Sequence, residues 1–377
     1  MEDIFVNEDS FIIDSVRFNI RTDDVRLAEE QRMDADRYVT RRESSFTDEV
    51  NISYTKDAEF FEELLRAFEI STDTETIPTF KGEKHYRFKN GTIDVYAKDN
   101  GEYFAFVING KDVVIVGNPK ADTHEFPFRI VREILVRKME DQQYVFTHGT
   151  GFNVNGRGYC IVANSGGGKT TLMTKMLEHS TGSKIVSNDR VFIKNVDGQL
   201  TMKAFPIPIV YAMGTVKSSP RLAERFERYG LTNARWGIDL NETQNGQKLE
   251  FNLTDVEEVF DCELSTSEKI DIMIIPKINR ELGDKVIAKP MDSREAKAVL
   301  EANSFTPVDT ESERAQWIYQ RESSLEQLEA NKTAAISAEL GVPILYVEYG
   351  LDATPETVLN AVENAVKKIE NQSGKGE

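Results

Sequence analysis

The sequence GYCIVANSGGGKTT, from Gly158 to Thr171, decides how the central part of this chain folds. The apolar run from Tyr159 to Val162 is typical of a buried strand, and the residues from Thr170 onwards, TTLMTKML, are typical of a helix. A glycine-rich turn lies between them. Strand, glycine turn and helix in this order predict a phosphate-binding loop.

The turn has the chemistry needed to hold a triphosphate. Its glycines have no Cβ, so the backbone can turn N–H groups inward, and the following helix start adds unpaired N–H donors. The charge of Lys169 can reach the β- and γ-phosphates, and the Thr170 hydroxyl can bind Mg²⁺ between them. We therefore expect ATP and Mg²⁺ as cofactors, although another triphosphate or pyrophosphate stays open as the donor. The expected nucleotide-binding residues are Ser165, Gly166, Gly167, Gly168, Lys169, Thr170 and Thr171.

Composition limits the choice of partners and compartment. The 377 residues suffice for one large or two moderate domains, and the formal net charge is −18. So acidic a chain is repelled by nucleic acid and by anionic membranes, and no run of residues approaches a membrane-spanning length. The two cysteines, Cys160 and Cys262, predict no disulfide framework, and the N-terminus carries no basic segment followed by an apolar one. We expect a cytoplasmic protein with no nucleic-acid or membrane partner.

The first third of the chain is rich in predicted strands. Short strands are indicated around residues 11–20, and the charged stretch 21–50 is interpreted as an exposed linker. An amphipathic helix follows at 56–69. Residues 80–117 contain alternating runs separated by Asn-Gly pairs, which predicts an antiparallel meander. We interpret residues 1–125 as a β-rich region that serves substrate recognition.

The segments on either side of the phosphate loop contain two further polar residues of interest. A strand predicted at 144–150 ends in His148-Gly149, and a hairpin leads from it into the loop strand. After the loop helix, a second strand runs into Asn188-Asp189. Asp189 could hold Mg²⁺ or accept a proton from an attacking hydroxyl. Taken alone, His148 would be a packed residue, and Asp189 a turn residue that pairs with Arg190.

These motifs together resemble HPr kinase/phosphorylase and its structural relatives, the PEP carboxykinases. The resemblance depends on His148-Gly149, the loop SGGGKTTL and the strand that ends in Asn-Asp-Arg-Val, and it covers about residues 144–194. It implies an α/β P-loop kinase domain with a mixed sheet, which we assign to residues 126–370. It also implies that Lys169, His148 and Asp189 are catalytic, with Asp189 as the base, and that the metal ligands are Thr170 and Asp189.

The sequence departs from that family at several positions. Asn188 stands where the family has the first aspartate of an acidic pair, and no further metal-binding glutamate is recognisable. The HPr-docking segment is not evident, and there is no manganese-ligand set of the PEP carboxykinase kind. HPr and PEP carboxykinase chemistry are therefore not expected. A hydroxyl of a peptide, a protein or a small molecule fits the resemblance as the phosphoryl acceptor.

The remaining sequence completes the α/β pattern. Basic residues could guide an anionic substrate or pair locally with Glu224 and Glu227; they are Lys217, Arg221, Arg225, Arg228 and Arg235. A buried strand is predicted at 270–276, and a last strand at 343–347. Helices are predicted at 292–302, 311–339 and 355–369, and residues 371–377 are expected to be a disordered tail. The second of these helices could be a lid or a dimer contact, and a homo-oligomer is expected.

Three functions follow from these patterns. The first is ATP-dependent transfer of a phosphoryl group to a hydroxyl. The second is a nucleotide-binding switch or scaffold without transfer, which the neutral Asn188 keeps open. The third is an assembly protein with a degenerate loop.

Overall fold

The computed structural model describes residues 7–25, 27, 46–78, 84–91, 93–98, 102–108, 112–123, 126–229, 248–251, 253–307 and 321–373. The chain forms two compact units. Unit 1 consists of Met1–Gln142 and Pro307–Leu325, and unit 2 consists of Gln143–Thr306 and Glu326–Glu377. The sequence-based boundary after residue 125 differs from this division because the helix that begins at Phe126 packs on strands of unit 1.

Several sequence-based predictions fall partly outside the described residues. These are most of the linker predicted at 21–50, the first ten residues of the helix predicted at 311–339, the position of Arg235, and residues 374–377 of the predicted tail. The beginning of that tail, up to Ser373, belongs to the last helix instead.

In unit 1 the described residues form one eight-stranded sheet and two long helices, α1 (Ala58–Ile70) and α2 (Phe126–Asp141). The strands are β1 (Asn7–Ile13), β2 (Val16–Thr22), β3 (Asp48–Thr55), β4 (Glu75–Pro78), β5 (Lys84–Asn90), β6 (Ile93–Lys98), β7 (Tyr103–Ile108) and β8 (Asp112–Gly117). Their order in the sheet is β1-β2-β3-β8-β7-β6-β5-β4. Neighbours are antiparallel except β2 with β3 and β3 with β8, which are parallel.

The two helices cover opposite faces of this sheet. Phe61 of α1 packs on Phe104, and on the other face Phe128 of α2 packs on Phe11. Because side chains alternate between the faces of a strand, coverage on both sides explains the unbroken apolar run of β8, from Val113 to Val116.

In unit 1 the segment 321–325 is fastened to α2. Arg321 donates to Glu140 at 2.6 Å, and both side chains are almost completely buried. Next to them the backbone N–H groups of Glu322 and Ser323 donate to the Asp141 carboxylate. A buried charge needs such a partner, so this ion pair fixes where the segment lies.

Unit 2 begins with the strands and helix that surround the glycine-rich loop after Val162. These are β9 (Val145–Thr147), β10 (Gly149–Val154), β11 (Arg157–Val162), α3 (Lys169–Leu177), β12 (Lys184–Ser187), β13 (Val191–Val196) and β14 (Gln199–Ala204). The next group is β15 (Ile209–Ala212), α4 (Met213–Ser218), α5 (Pro220–Tyr229), β16 (Lys248–Phe251), α6 (Leu253–Phe260), β17 (Glu263–Leu264) and β18 (Ser267–Lys269). The last group is β19 (Ile272–Ile278), a 3-10 turn (Arg280–Leu282), β20 (Val286–Pro290), α7 (Ser293–Asn303), α8 (Leu325–Glu339), β21 (Ile344–Tyr349) and α9 (Pro355–Ser373).

These strands form three sheets. The seven-stranded sheet has the order β17-β12-β10-β11-β19-β21-β20, and its central strands β11, β19 and β21 are parallel. The four-stranded sheet, β18-β14-β13-β9, is antiparallel, and β15 pairs with β16. Residues of α7 and α8 join Cys160 and Val162 in one apolar core, which packs the loop strand firmly. The fold is therefore mixed α/β, with mixed sheets.

The secondary structure agrees with the sequence-based predictions in most places. The loop strand, the loop helix and the meander from β5 to β8 are confirmed, and so is the buried strand β19. Strands β3 and β4 were missed. The single strand predicted at 144–150 is wrong, because the chain leaves one sheet and enters another at His148.

Candidate functional site

The order of strands in unit 2 brings three segments to one edge of the seven-stranded sheet. Strand β10 is antiparallel to both β11 and β12, with Gly149 paired to Val162 and Gly151 paired to Ser187. The start of β10 therefore lies beside the ends of β11 and β12. His148, the loop after β11 and the pair Asn188-Asp189 meet at that edge, where ligands commonly bind in α/β sheets.

His148 and Asp189 occupy equivalent places, each at a crossing between two sheets. His148 lies between β9 of the four-stranded sheet and β10 of the seven-stranded sheet, and Asp189 lies between β12 and β13. Asp189 has a φ of 66°, a left-handed conformation that aspartate tolerates better than most residues. Its N–H donates to the Thr150 hydroxyl at 3.3 Å. The crossing thus places the Asp189 side chain beside the glycine-rich loop.

The glycines give the loop a conformation that other residues would strain. Gly166 and Gly168 have φ values of 77° and 95°. A Cβ on Gly168 would lie 2.6 Å from the Tyr349 hydroxyl and 2.9 Å from Ile278, so this position also needs the space. The Tyr349 hydroxyl donates to the Gly168 carbonyl at 3.0 Å, which ties the loop to the end of β21.

Helix α3 begins at Lys169 directly behind the loop. Its N-cap, Gly168, supplies no side-chain hydrogen bond, so the N–H groups of the first turn keep their capacity to bind an anion. Ser165 and Gly166 are exposed at the loop tip. The Thr171 hydroxyl lies 2.8 Å from that of Thr215 in α4, which holds the helix start in place.

The Lys169 ammonium lies under the loop. Its Nζ donates to the Ala163 carbonyl at 2.8 Å and lies 2.9 Å from His148 Nε2. Burial lowers the pKa of Lys169 to about 8; the negative charge of Asp189 opposes this effect, and the charge of Lys248 adds to it. Lys169 therefore titrates close to neutral pH.

Both ring nitrogens of His148 have polar neighbours. Nε2 lies 3.0 Å from Asp189 Oδ1, and Nδ1 lies 3.2 Å from Asn303 Oδ1. The ring stacks on Phe305, with 5.6 Å between ring centres. One imidazole nitrogen thus contacts both Lys169 and Asp189.

The Asp189 carboxylate is 51% exposed, although the residue is surrounded by polar groups. Burial alone would raise its pKa. The contact with His148 and the positive charges of Lys169 and Arg190 outweigh this effect and lower the pKa below the ordinary value for aspartate. The carboxylate is therefore ionised at neutral pH and reachable from solvent.

Asn188 is a buried residue of the site and lies next to Thr170. Its Oδ1 accepts from the Thr170 hydroxyl at 3.0 Å and from the Thr150 hydroxyl at 3.1 Å, and it is 2% exposed. Because Thr170 gives its proton to Asn188, its oxygen lone pairs stay available to a cation. Among the described residues there is no group of three or more His, Cys, Asp or Glu that could hold a metal.

These residues fit a Mg²⁺ ion that comes with its nucleotide. Mg²⁺ is usually held by one or two protein oxygens, with phosphate oxygens and water completing its octahedron. The Thr170 hydroxyl and the Asp189 carboxylate provide two oxygens of the right kind. A free metal without phosphate would be held weakly here.

The structure also places the basic residues of 217–235 that the sequence singled out. Arg221 donates to the Phe260 carbonyl at 3.0 Å, and Arg225 pairs with Asp255 and Glu258 of α6. These two side chains have structural partners within the fold, which favours the local-pairing alternative, with acids other than those expected. The side chain of Arg228 and the whole of Arg235 lie outside the described residues.

Sequence reasoning missed three residues of this site: Asn303, Thr150 and Tyr349. Asn303 lies at the end of α7, is 2% exposed and contacts a histidine 155 residues earlier in the chain. No motif marks it. The only local signal was an asparagine at the end of a predicted helix, next to Phe305.

Comparisons with known proteins add little to this geometry. No protein-family model and no curated protein sequence matches the chain. Among solved structures, the Hpr(Ser) kinase/phosphatase from Coxiella burnetii is similar with 14% sequence identity and a TM-score of 0.28. The alignment covers 60% of this chain and 98% of that one. So weak a similarity does not establish a family or a function.

No helix among the described residues combines the length and the apolar character that crossing a bilayer requires.

Proposed function

We propose that this protein is a kinase of the HPr kinase type that transfers the γ-phosphoryl group of ATP to a hydroxyl. One observation carries the proposal. The loop lysine and a solvent-reachable carboxylate contact the same imidazole nitrogen, at 2.9 Å and 3.0 Å. A phosphate-binding cation and a candidate base therefore lie on either side of one small space, as transfer to a hydroxyl requires.

The loop binds the phosphoryl donor. N–H groups of the loop and of the first turn of α3 orient the phosphates, and Lys169 exchanges its carbonyl contacts for phosphate oxygens. Mg²⁺, held by Thr170 and Asp189, would neutralise the charge that develops on the phosphates. Tyr349 keeps the loop in the conformation that makes these contacts possible.

Asp189 acts on the phosphoryl acceptor. Its ionised carboxylate accepts the proton of the attacking hydroxyl while the new O–P bond forms and ADP leaves. His148 Nε2 lies 3.0 Å from this carboxylate. The acceptor is a hydroxyl of a peptide, a protein or a small molecule, and the exposed position of Asp189 admits any of these.

The test is transfer of labelled phosphate from ATP to a panel of hydroxyl acceptors. Asp189→Asn should reduce transfer roughly 10²- to 10⁴-fold while nucleotide binding survives. Lys169→Ala should weaken nucleotide binding itself. Asp197→Asn is a matched control, because Asp197 also has a left-handed φ of 51° but lies in an exposed hairpin turn far along the chain from the loop. Unchanged transfer in Asp189→Asn would remove the base from the proposal.

A nucleotide-binding switch is the second candidate, and Asn188 favours it. This buried amide replaces a charge that would strengthen metal binding next to Thr170. A switch predicts nucleotide-dependent binding of a partner with slow hydrolysis and no phosphorylated product. The same labelled-ATP assay separates the two functions, because only the kinase produces a labelled acceptor.

A further inference from the structure

The orientation of the Asn303 side-chain amide is fixed by its neighbours. Its Nδ2 donates to the Val299 carbonyl at 2.9 Å and to Asn164 Oδ1 at 3.0 Å. A backbone carbonyl can only accept, so the NH₂ group must face Val299. The oxygen Oδ1 therefore faces the ring of His148.

Asn303 holds His148 by its backbone as well as by its ring. The His148 N–H donates to the Asn303 carbonyl at 2.8 Å, and Nδ1 lies 3.2 Å from Asn303 Oδ1. Since Oδ1 can only accept, Nδ1 must carry the hydrogen. In the neutral ring the other nitrogen, Nε2, then has a lone pair and no hydrogen.

The lone pair of Nε2 faces Lys169 and Asp189, the two groups on which the proposed phosphoryl transfer depends. Lys169 Nζ, a donor, lies 2.9 Å from Nε2. Asp189 Oδ1 lies 3.0 Å from the same nitrogen, and this contact becomes a hydrogen bond only when a proton lies between them. A ring with its hydrogen on Nε2 would instead have nothing to accept from Lys169.

We propose that Asn303 is a positioning residue that holds His148 as the Nδ1–H tautomer, with the Nε2 lone pair directed at Lys169 and Asp189. In this form Nε2 accepts a hydrogen bond from Lys169 before the nucleotide draws the ammonium away. The catalytic meaning of the inference rests on the proposed kinase function, whereas the tautomer itself does not.

The tautomer can be measured directly by ¹⁵N NMR on protein labelled at histidine. The chain has only four histidines, so His148→Gln identifies the signals of interest by their loss. In the neutral ring we expect His148 to show a protonated Nδ1 and an unprotonated Nε2. A free imidazole in water prefers the opposite form, so the expected result is distinctive.

Variants of Asn303 test whether its side chain sets the tautomer of His148. Asn303→Leu has nearly the same size but no acceptor, so the ring should return to the Nε2–H form. Asn303→Asp keeps an acceptor and should keep the Nδ1–H form. Asn195→Leu in an exposed hairpin is the control and should leave the spectrum unchanged. Loss of a group that orients a functional imidazole typically costs about 10- to 100-fold, so kcat should fall by that factor in Asn303→Leu, with a KM for ATP near the original.

The outcomes separate this inference from the proposed function. An Nε2–H ring in the unmodified protein overturns the inference whatever the activity. An Nδ1–H ring that is unchanged in folded Asn303→Leu overturns the role of Asn303. An Nδ1–H ring that is lost in Asn303→Leu supports it, even if no acceptor is ever phosphorylated and the kinase proposal fails. If Asn303→Leu does not fold, the tautomer of the unmodified protein and of Asn303→Asp decides.

Discussion

The Thr170 hydroxyl donates its proton to Asn188 Oδ1 at 3.0 Å, and Asn188 is a neutral amide in a buried position. In the proposed site this relationship sets the affinity for Mg²⁺. A carboxylate at this position would accept the same hydrogen bond and would also attract a divalent cation, since charges a few ångströms apart interact strongly inside a protein.

Asn188→Asp should therefore tighten Mg²⁺ binding in the presence of nucleotide. We expect at least about a tenfold gain, which corresponds to about 1.4 kcal/mol. Calorimetric titration of Mg²⁺ into the protein–nucleotide complex measures it. Asn195→Asp introduces the same charge in an exposed hairpin and should change nothing. Equal Mg²⁺ affinities in all three proteins would contradict a metal position beside Thr170.

The lowered pKa of Lys169 predicts how stability depends on pH. The folded protein releases this proton near pH 8, whereas the unfolded chain holds it up to about 10.5. The unfolded state thus binds more protons in that window, so this group makes the folded state more stable as pH rises through it. Relative to Lys169→Met, the free energy of unfolding should rise by up to about 3 kcal/mol between the two pKa values. Denaturant unfolding at several pH values checks the sign.

The same pKa predicts proton uptake on nucleotide binding. Phosphates favour the ammonium form of Lys169, so binding at a pH close to 8 should draw a proton from the buffer. Binding heats measured in two buffers with different ionisation enthalpies reveal it. Lys217→Met, which alters an exposed lysine, should keep the uptake, and Lys169→Met should abolish it. No uptake in the unmodified protein would mean that Lys169 does not meet the phosphates.

The surroundings of Gly168 and Gly198 differ, so we expect an alanine substitution to destabilise the protein more at Gly168 than at Gly198. In Gly198→Ala only the left-handed backbone is strained, because nothing lies within 4 Å of the new Cβ, and the cost should be about 1–2 kcal/mol. Gly168→Ala adds collisions with Tyr349 and Ile278 and should cost at least about 1 kcal/mol more, with loss of nucleotide affinity. Combining it with Tyr349→Phe removes the nearest atom, so the double variant should lose less stability than the sum of the single changes. Additive losses would argue against this contact.

Loss of the buried ion pair between Arg321 and Glu140 is expected to destabilise α2 strongly. Glu140→Gln removes the carboxylate charge that pairs with the almost fully buried Arg321, which typically costs about 3–5 kcal/mol. Hydrogen exchange of the amides of α2 should accelerate accordingly. Lys297→Met removes an exposed pair, with 57% and 53% of the two side chains accessible, and should change exchange by less than about 0.5 kcal/mol. Similar effects in both variants would show that Arg321 finds another partner.

The sequence by itself determined the glycine-rich loop, the helix behind it and the strand before it. Glycine freedom at Gly166 to Gly168 and the apolar run of β11 act over a few residues, so their consequences can be read locally. The Asn-Gly turns of the meander are of the same kind. For the same reason the position of Lys169 and Thr170 at the start of the helix after the loop could be predicted before any tertiary contact was known.

Only the tertiary structure decided what surrounds that loop. The crossing of the chain between two sheets brings His148 and Asp189 together, and it follows from strand order, which no local pattern contains. Asn303 reaches His148 across 155 residues, and Arg321 reaches Glu140 across 181. Such contacts form because buried polar groups must find partners wherever the packed sheets and helices leave them, and the identity of each partner is a property of the whole fold.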